Sequence, residues 1–64
     1  MEDLFLIVAT TESMDRYYFA FKDKPDFDHH EWACRKVMEE EGEDDYEFYK
    51  HTTSVTWFWV NYYE

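Results

Sequence analysis

A single helix whose two ends are marked in the sequence divides this chain and restricts the folds open to it. Asp28 stands three residues before Glu31, the spacing of a capping box in which the Asp carboxylate accepts a hydrogen bond from the later amide. Gly42 supplies the left-handed residue that commonly ends a helix. The sequence therefore predicts a helix over residues 29–41.

The predicted helix has a narrow apolar face and an aromatic staple at its start. Phe27 and Trp32 flank the cap at the spacing of a hydrophobic staple. The apolar stripe consists of Ala33, Cys34, Val37 and Met38. One short helix with such a stripe can cover only one face of a sheet.

Three other stretches have the composition of β-strands. Residues 4–9 are a continuous apolar run, and residues 16–22 alternate between two faces. The polar residues 10–15 between them are too few for another element, which favours an antiparallel hairpin. Residues 55–63 are almost all strong β-formers.

The segment between the helix and the last strand leaves two topologies open. If residues 52–54 turn the chain, residues 46–51 form a strand of their own and the order is ββαββ. Otherwise the order is ββαβ, with one long, bent last strand. We expect four strands. The fold class is α+β, a small antiparallel sheet of three to four strands with one helix packed on one face, in a single domain over residues 1–64.

Composition excludes several classes of protein. Aromatic residues make up 23% of the 64 residues, and sixteen acids against six bases give a formal charge of −10, which disfavours direct binding to nucleic acid. One cysteine, Cys34, cannot make a disulfide scaffold. The longest apolar run has six residues, too few for a membrane span. Because no secretory signal is visible, we expect a cytoplasmic location.

The negative charge is concentrated in one short stretch. Seven of the nine positions from 39 to 47 are carboxylates and none is basic. This acidic segment consists of Glu39, Glu40, Glu41, Glu43, Asp44, Asp45 and Glu47. Its first three members occupy the last turn of the predicted helix, where the dipole disfavours an anion by about 0.3–1 kcal/mol each. The placement favours a binding surface for a basic partner; a solvated loop that maintains solubility is the alternative.

The strands carry more aromatic side chains than one helix can cover. In the last strand Trp57 and Trp59 face one way, and Phe58 and Val60 face the other. One sheet face of a two-layer domain stays open, and a contiguous exposed aromatic surface usually marks an interface. We therefore predict that Trp57 and Trp59 contribute to partner binding. A homodimer through the open face or an edge strand is a second interpretation.

Residues suited to catalysis or metal binding are sparse. A single glycine excludes a phosphate-binding loop, and Cys34 lies on the predicted core stripe, where a small buried residue is expected. His30 and Cys34 are four residues apart on the helix, but no second pair completes a four-ligand zinc site. We predict a protein that is not an enzyme and has no metal or cofactor.

In size, acidity and aromatic content the chain is similar to phage-encoded inhibitors that imitate DNA, a group that includes uracil-DNA glycosylase inhibitors and anti-restriction and anti-CRISPR proteins. This similarity is one of composition and transfers no functional positions. It implies an inhibitor or DNA mimic whose acidic segment occupies the basic nucleic-acid-binding surface of a host protein, in the host cytoplasm if the chain is viral. The alternative is a homo-oligomeric accessory or structural protein assembled through an exposed aromatic sheet face.

Overall fold

Three strands and two helices make up residues 2–62, the part of the chain that the computed structural model describes. In chain order the elements are β1 (Glu2–Thr10), β2 (Arg16–Phe21), α1 (His29–Glu41), α2 (Tyr46–Thr52) and β3 (Ser54–Tyr62). The strands form one antiparallel sheet in the order β2-β1-β3, so β1 is central. The predicted α+β class with a small antiparallel sheet is confirmed.

The predicted hairpin joins β1 to β2, with Thr10 opposite Arg16 next to the connecting loop. Thr11 holds the loop together: its carbonyl accepts from the Met14 amide at 2.9 Å and its hydroxyl from the Asp15 amide at 3.1 Å. Met14 has a φ of 71°, the left-handed region that residues other than glycine rarely adopt. The tight loop therefore places one strained residue at its tip.

Helix α1 has the bounds that the sequence predicts. The Asp28 carboxylate accepts from the Glu31 amide at 2.9 Å, while the Glu31 carboxylate turns to Arg35 at 3.3 Å instead of back to the cap. Gly42 has a φ of 69°, and the amide of Glu43 donates to the carbonyl of Met38 at 2.9 Å. This is a Schellman arrangement, which satisfies carbonyls left free at the helix end.

The aromatic staple anchors the start of α1 on the sheet. The rings of Phe27 and Trp32 stack with centroids 5.0 Å apart and planes 14° apart. Trp32 also meets the ring edges of Phe19 at 5.0 Å and Phe21 at 5.3 Å, both on β2. Tilted aromatic pairs of this kind stabilise a fold by more than the burial of their surface area alone provides.

The core lies between β1 and the helices. Its buried members are Phe5, Ile7, Ala9, Ala33, Cys34, Val37, Met38 and Tyr49. The four α1 residues among them are the predicted apolar stripe. The three from β1 share one strand face, so α1 covers that face alone.

Residues 46–52 form helix α2, so the expected fourth strand is wrong, and the alternative of one long, bent strand also fails. Asp45 caps the helix by accepting from the Phe48 amide at 3.2 Å, and Glu47 lies in its first turn. Lys50 and His51 lie in its last turn, so acidic residues begin the helix and basic residues end it, which is the order that the helix dipole favours. The predicted end of the last strand, Tyr63, lies outside the described residues.

Candidate functional site

The acidic segment surrounds the junction of the two helices. Glu39, Glu40 and Glu41 end α1, Asp45 caps α2, and Glu47 lies in the first turn of α2. The remaining two members, Glu43 and Asp44, connect the helices. The seven carboxylates are therefore close along the chain, but their surroundings differ.

Glu41 points into the structure. Its carboxylate accepts from the hydroxyl of Tyr17 at 2.9 Å and from that of Tyr49 at 2.5 Å. Both phenols are held neutral by this contact: the hydrogen bond to Glu41 raises the pKa of Tyr49 to about 12 and also raises the pKa of Tyr17. Glu41 thus joins α1 to β2 and α2 and is not free for a partner.

Asp45 also has an internal role, because its side chain is the cap of α2. The start of a helix favours anions, so Asp44, Asp45 and Glu47 lie where the dipole of α2 partly offsets their charge. The adverse dipole inferred from the sequence applies only to the three carboxylates at the end of α1. Part of the acidic segment is therefore explained by a helix that the sequence reading missed.

Two further carboxylates have weak local partners. Glu39 lies 3.7 Å from the Lys36 ammonium, and Glu47 lies 3.6 Å from the His51 ring, in each case between exposed side chains on one helix. The second contact is an ion pair only when the His51 ring is protonated. Exposed pairs of this kind contribute about 0–1 kcal/mol and leave both groups accessible.

Three carboxylates have no internal partner in the described part of the chain. Glu40, Glu43 and Asp44 are exposed, and no residue between 3 and 61 forms a hydrogen bond or ion pair with their side chains. Together with the two weakly paired ones they form what we call the acidic surface: Glu39, Glu40, Glu43, Asp44 and Glu47. These five carboxylates follow one another along the chain across the helix junction, whereas Glu41, which stands between them in the sequence, turns to Tyr17 and Tyr49.

The second candidate surface is the sheet face that the helices leave uncovered, here called the open face. Its apolar side chains belong to Leu4, Leu6, Val8, Tyr18, Ala20, Phe58 and Val60, and the hydroxyl residues Thr10, Ser54 and Thr56 lie on the same face, with Arg16 at its margin. Tyr18 is 60% exposed and Phe58 is 47% exposed. Between residues 4 and 60 the strands place no Asp or Glu on this face. The acidic surface and the open face therefore belong to different layers of the fold, the first to the helices and the second to the sheet.

Trp57 and Trp59 lie on the side that α1 covers, not on the open face. The Trp59 ring packs edge-on against Phe5 with centroids 5.3 Å apart, and Trp57 packs against His29 at 4.8 Å. Because β3 is an edge strand at the margin of α1, the two indoles remain 44% and 52% exposed. Among residues 3–61 the exposed aromatics of the open face are Tyr18 and Phe58, which the sequence analysis does not assign to binding. Alternation along the strands separates the two sets, but it does not say which one the helix covers.

The one cysteine is part of the core. The Cys34 sulfur is buried, 3.7 Å from the His30 ring nitrogen and 3.7 Å from the Tyr49 carbonyl oxygen. Burial raises the pKa of this thiol, which opposes nucleophilic use. Across residues 2–62 no third ligand joins His30 and Cys34, and no ligand-sized pocket opens at the surface. Within the same range, neither helix is long and apolar enough to cross a bilayer.

Comparison with protein-family models, with curated proteins and with solved structures finds no match. The contacts and charges of this chain itself are therefore the guide to what it binds. They offer two surfaces for macromolecular contact, the acidic surface at the helix junction and the largely apolar open face of the sheet.

Proposed function

We propose that this chain is a non-enzymatic protein-binding module that docks its acidic surface on the basic surface of another protein in the cytoplasm. The observation that carries the proposal is the exposure of Glu40, Glu43 and Asp44 without any internal partner among residues 3–61. Proteins that bind nucleic acids are the partner class with a matching surface, since they carry the Lys and Arg that neutralise phosphates. In such a complex the chain acts as an inhibitor that imitates DNA.

The helix junction suits this role because it presents carboxylates from two helices at once. Duplex DNA presents one negative charge per roughly 1.7 Å of axis, and a dense run of carboxylates imitates part of that row. Complementary charge accelerates association and makes it sensitive to salt, because exposed charges are screened beyond about 8–10 Å at physiological ionic strength.

The experiment reverses charge at the three free carboxylates together, Glu40→Lys, Glu43→Lys and Asp44→Lys. Asp45 and Glu41 are left unchanged, because the first caps α2 and the second binds two tyrosines. The probe is a labelled oligolysine peptide, followed by fluorescence anisotropy at low and at physiological salt. We expect the triple variant to lose roughly tenfold or more in affinity.

A matched control reverses three exposed carboxylates elsewhere, Glu12→Lys, Asp23→Lys and Asp26→Lys. Each substitution adds two charges, so both triple variants move the formal charge from −10 to −4. Attraction through net charge alone predicts equal losses, whereas docking at the acidic surface predicts a loss for the first variant only. Equal losses, with the far-UV circular dichroism of both variants unchanged, would end the proposal.

A second candidate function is self-assembly through the sheet into a homo-oligomeric accessory protein. It is favoured by the exposed apolar side chains of the open face, headed by Tyr18 and Phe58, and by the half-exposed indoles on β3. Sedimentation at low and high ionic strength tests it. An assembly held by apolar contacts persists in high salt, whereas docking through the acidic surface weakens. A chain that sediments as a monomer of 8.0 kDa under both conditions contradicts this candidate.

A further inference from the structure

We propose that two copies of this chain join by antiparallel pairing of their β3 strands, which makes one continuous six-stranded sheet. The inference rests on the second candidate function, self-assembly, and identifies the element that carries it. Four observations support the edge of β3 as the contact and a second copy as its occupant.

The two edges of the sheet differ in their protection against pairing. Strand β2 has six residues, begins with Arg16, and is followed by Lys22 and, after Lys24, by Pro25. Basic residues, proline and short length are the devices that keep an edge strand from pairing. Strand β3 has nine residues, with no charged residue, no proline and no glycine. No strand among residues 2–62 pairs with its outer side.

The charge of β3 points to a second copy as the partner. In a chain with a formal charge of −10, two copies repel unless they meet where neither carries carboxylates. Strand β3 is the only element among residues 2–62 that contains no Asp, Glu, Lys, Arg or His. Pairing of β3 with β3 therefore brings two neutral strands together.

The sequence of β3 is self-complementary in an antiparallel register centred on Phe58. In that register Phe58 faces its own copy, and Trp57 faces Trp59 of the second copy on the helix side of the sheet. Cross-strand aromatic pairs stabilise sheets. The two indoles, each about half exposed in one chain, would cover one another across the dimer axis.

The assembly closes after two copies. A two-fold axis perpendicular to the sheet uses both β3 edges and leaves only the protected β2 edges at the ends. Each copy contributes Trp57, Phe58 and Trp59 near the axis, and because each is about half buried in one chain, it can add about half of the roughly 150–250 Å² that such a side chain buries when fully covered. The six side chains then bury roughly 450–750 Å², which is below the area of a standard interface, so the main-chain hydrogen bonds between two nine-residue strands supply much of the affinity.

The test is a disulfide cross-link at the proposed axis. In a Cys34→Ala background, Phe58→Cys places a thiol opposite its own copy, where facing Cα atoms are about 4.5–5.5 Å apart and within disulfide range. Thr56→Cys is the register control, because Thr56 of the second copy would lie four residues farther along the paired strand, roughly 13 Å away. Tyr18→Cys, exposed on β2 and on the same face as Phe58, is the edge control. With diamide as the oxidant, we expect most of the Phe58→Cys chains to cross-link and the two controls to remain largely monomeric on a denaturing gel.

Sedimentation of the unmodified chain and of Ala20→Lys completes the test. Ala20 is exposed on the open face and lies on β2, at the opposite side of the sheet from β3, so the edge dimer, at twice the chain mass of 8.0 kDa, should persist in this variant. A dimer that Ala20→Lys dissolves, or one in which Tyr18→Cys or Thr56→Cys cross-links as well as Phe58→Cys, overturns edge pairing while self-assembly stands. A monomeric unmodified chain overturns both, and open-ended polymers overturn the closed dimer. None of these outcomes bears on the oligolysine test of the acidic surface.

Discussion

The hydroxyl of Tyr49 donates a hydrogen bond to the carboxylate of Glu41, with 2.5 Å between the Oη and Oε1 atoms. The other oxygen of the same carboxylate accepts from Tyr17 on β2 at 2.9 Å. One acidic side chain thereby connects the end of α1 to α2 and to the sheet. Because Tyr49 is also a core residue, this contact holds α2 against the end of α1.

We expect the chain to lose stability in alkali because of this contact. The hydrogen bond to Glu41 raises the pKa of Tyr49 to about 12 from an ordinary value of 10, so the folded state favours the neutral phenol. Its contribution is complete below pH 10 and is lost as the pH rises toward 12. Urea unfolding between pH 8 and pH 12 measures the loss, and Tyr49→Phe should reduce its slope. An unchanged slope in that variant would show that other tyrosines are responsible.

We expect the two neighbouring acids at the start of α2 to differ in their effect on stability. Asp45→Ala removes the cap and should lower the free energy of unfolding by about 1 kcal/mol. Asp44→Ala removes the same charge but no hydrogen bond, and should change it by less than about 0.5 kcal/mol. Chemical denaturation of the two variants makes the comparison. Equal effects would mean that charge at this position matters more than the cap.

We expect relief of the left-handed residue in the hairpin loop to stabilise the protein. Met14 is 72% exposed at a φ of 71°, so its side chain has little packing to lose. Met14→Gly should raise the free energy of unfolding by about 0.5–1 kcal/mol, since the left-handed region costs other residues about 1–2 kcal/mol and glycine loses more chain entropy. Ser13→Gly, at a neighbour with negative φ, should lower it. A rise in both variants would point to a general effect of loop flexibility.

We expect Cys34 to be unreactive in the folded chain. Burial raises the pKa of its thiol, and the thiolate is the species that reacts. Modification by an aromatic disulfide reagent at pH 8 should be slow in buffer and fast in denaturant. A rapid reaction in buffer would indicate that the helix layer opens readily over the core.

Local signals in the sequence were sufficient for α1 and for the hairpin. Asp28 and Gly42 act on amides and carbonyls within a few residues of themselves, so their effect does not depend on the rest of the fold. The alternation in β2 and the apolar run in β1 likewise predict strands without reference to the rest of the fold. These elements are found where the sequence analysis predicts them.

Helix α2 and the outcome for the acidic segment depend on contacts between distant residues. Residues 46–52 have an aromatic composition that favours a strand, yet they are helical: Asp45 caps the segment, and Tyr49 is buried in the core and bonded to Glu41. Glu41 turns inward because Tyr17, 24 residues earlier in the chain, lies within reach only after the sheet has formed.

Composition and spacing thus establish how much negative charge and aromatic area this chain carries, because both are properties of the residues themselves. Which carboxylates remain free, and which face of the strands stays open, depends on the side of the sheet to which α1 binds. That choice is made by packing between elements far apart in the chain, where Phe5 and Ile7 meet Val37, and no local pattern encodes it.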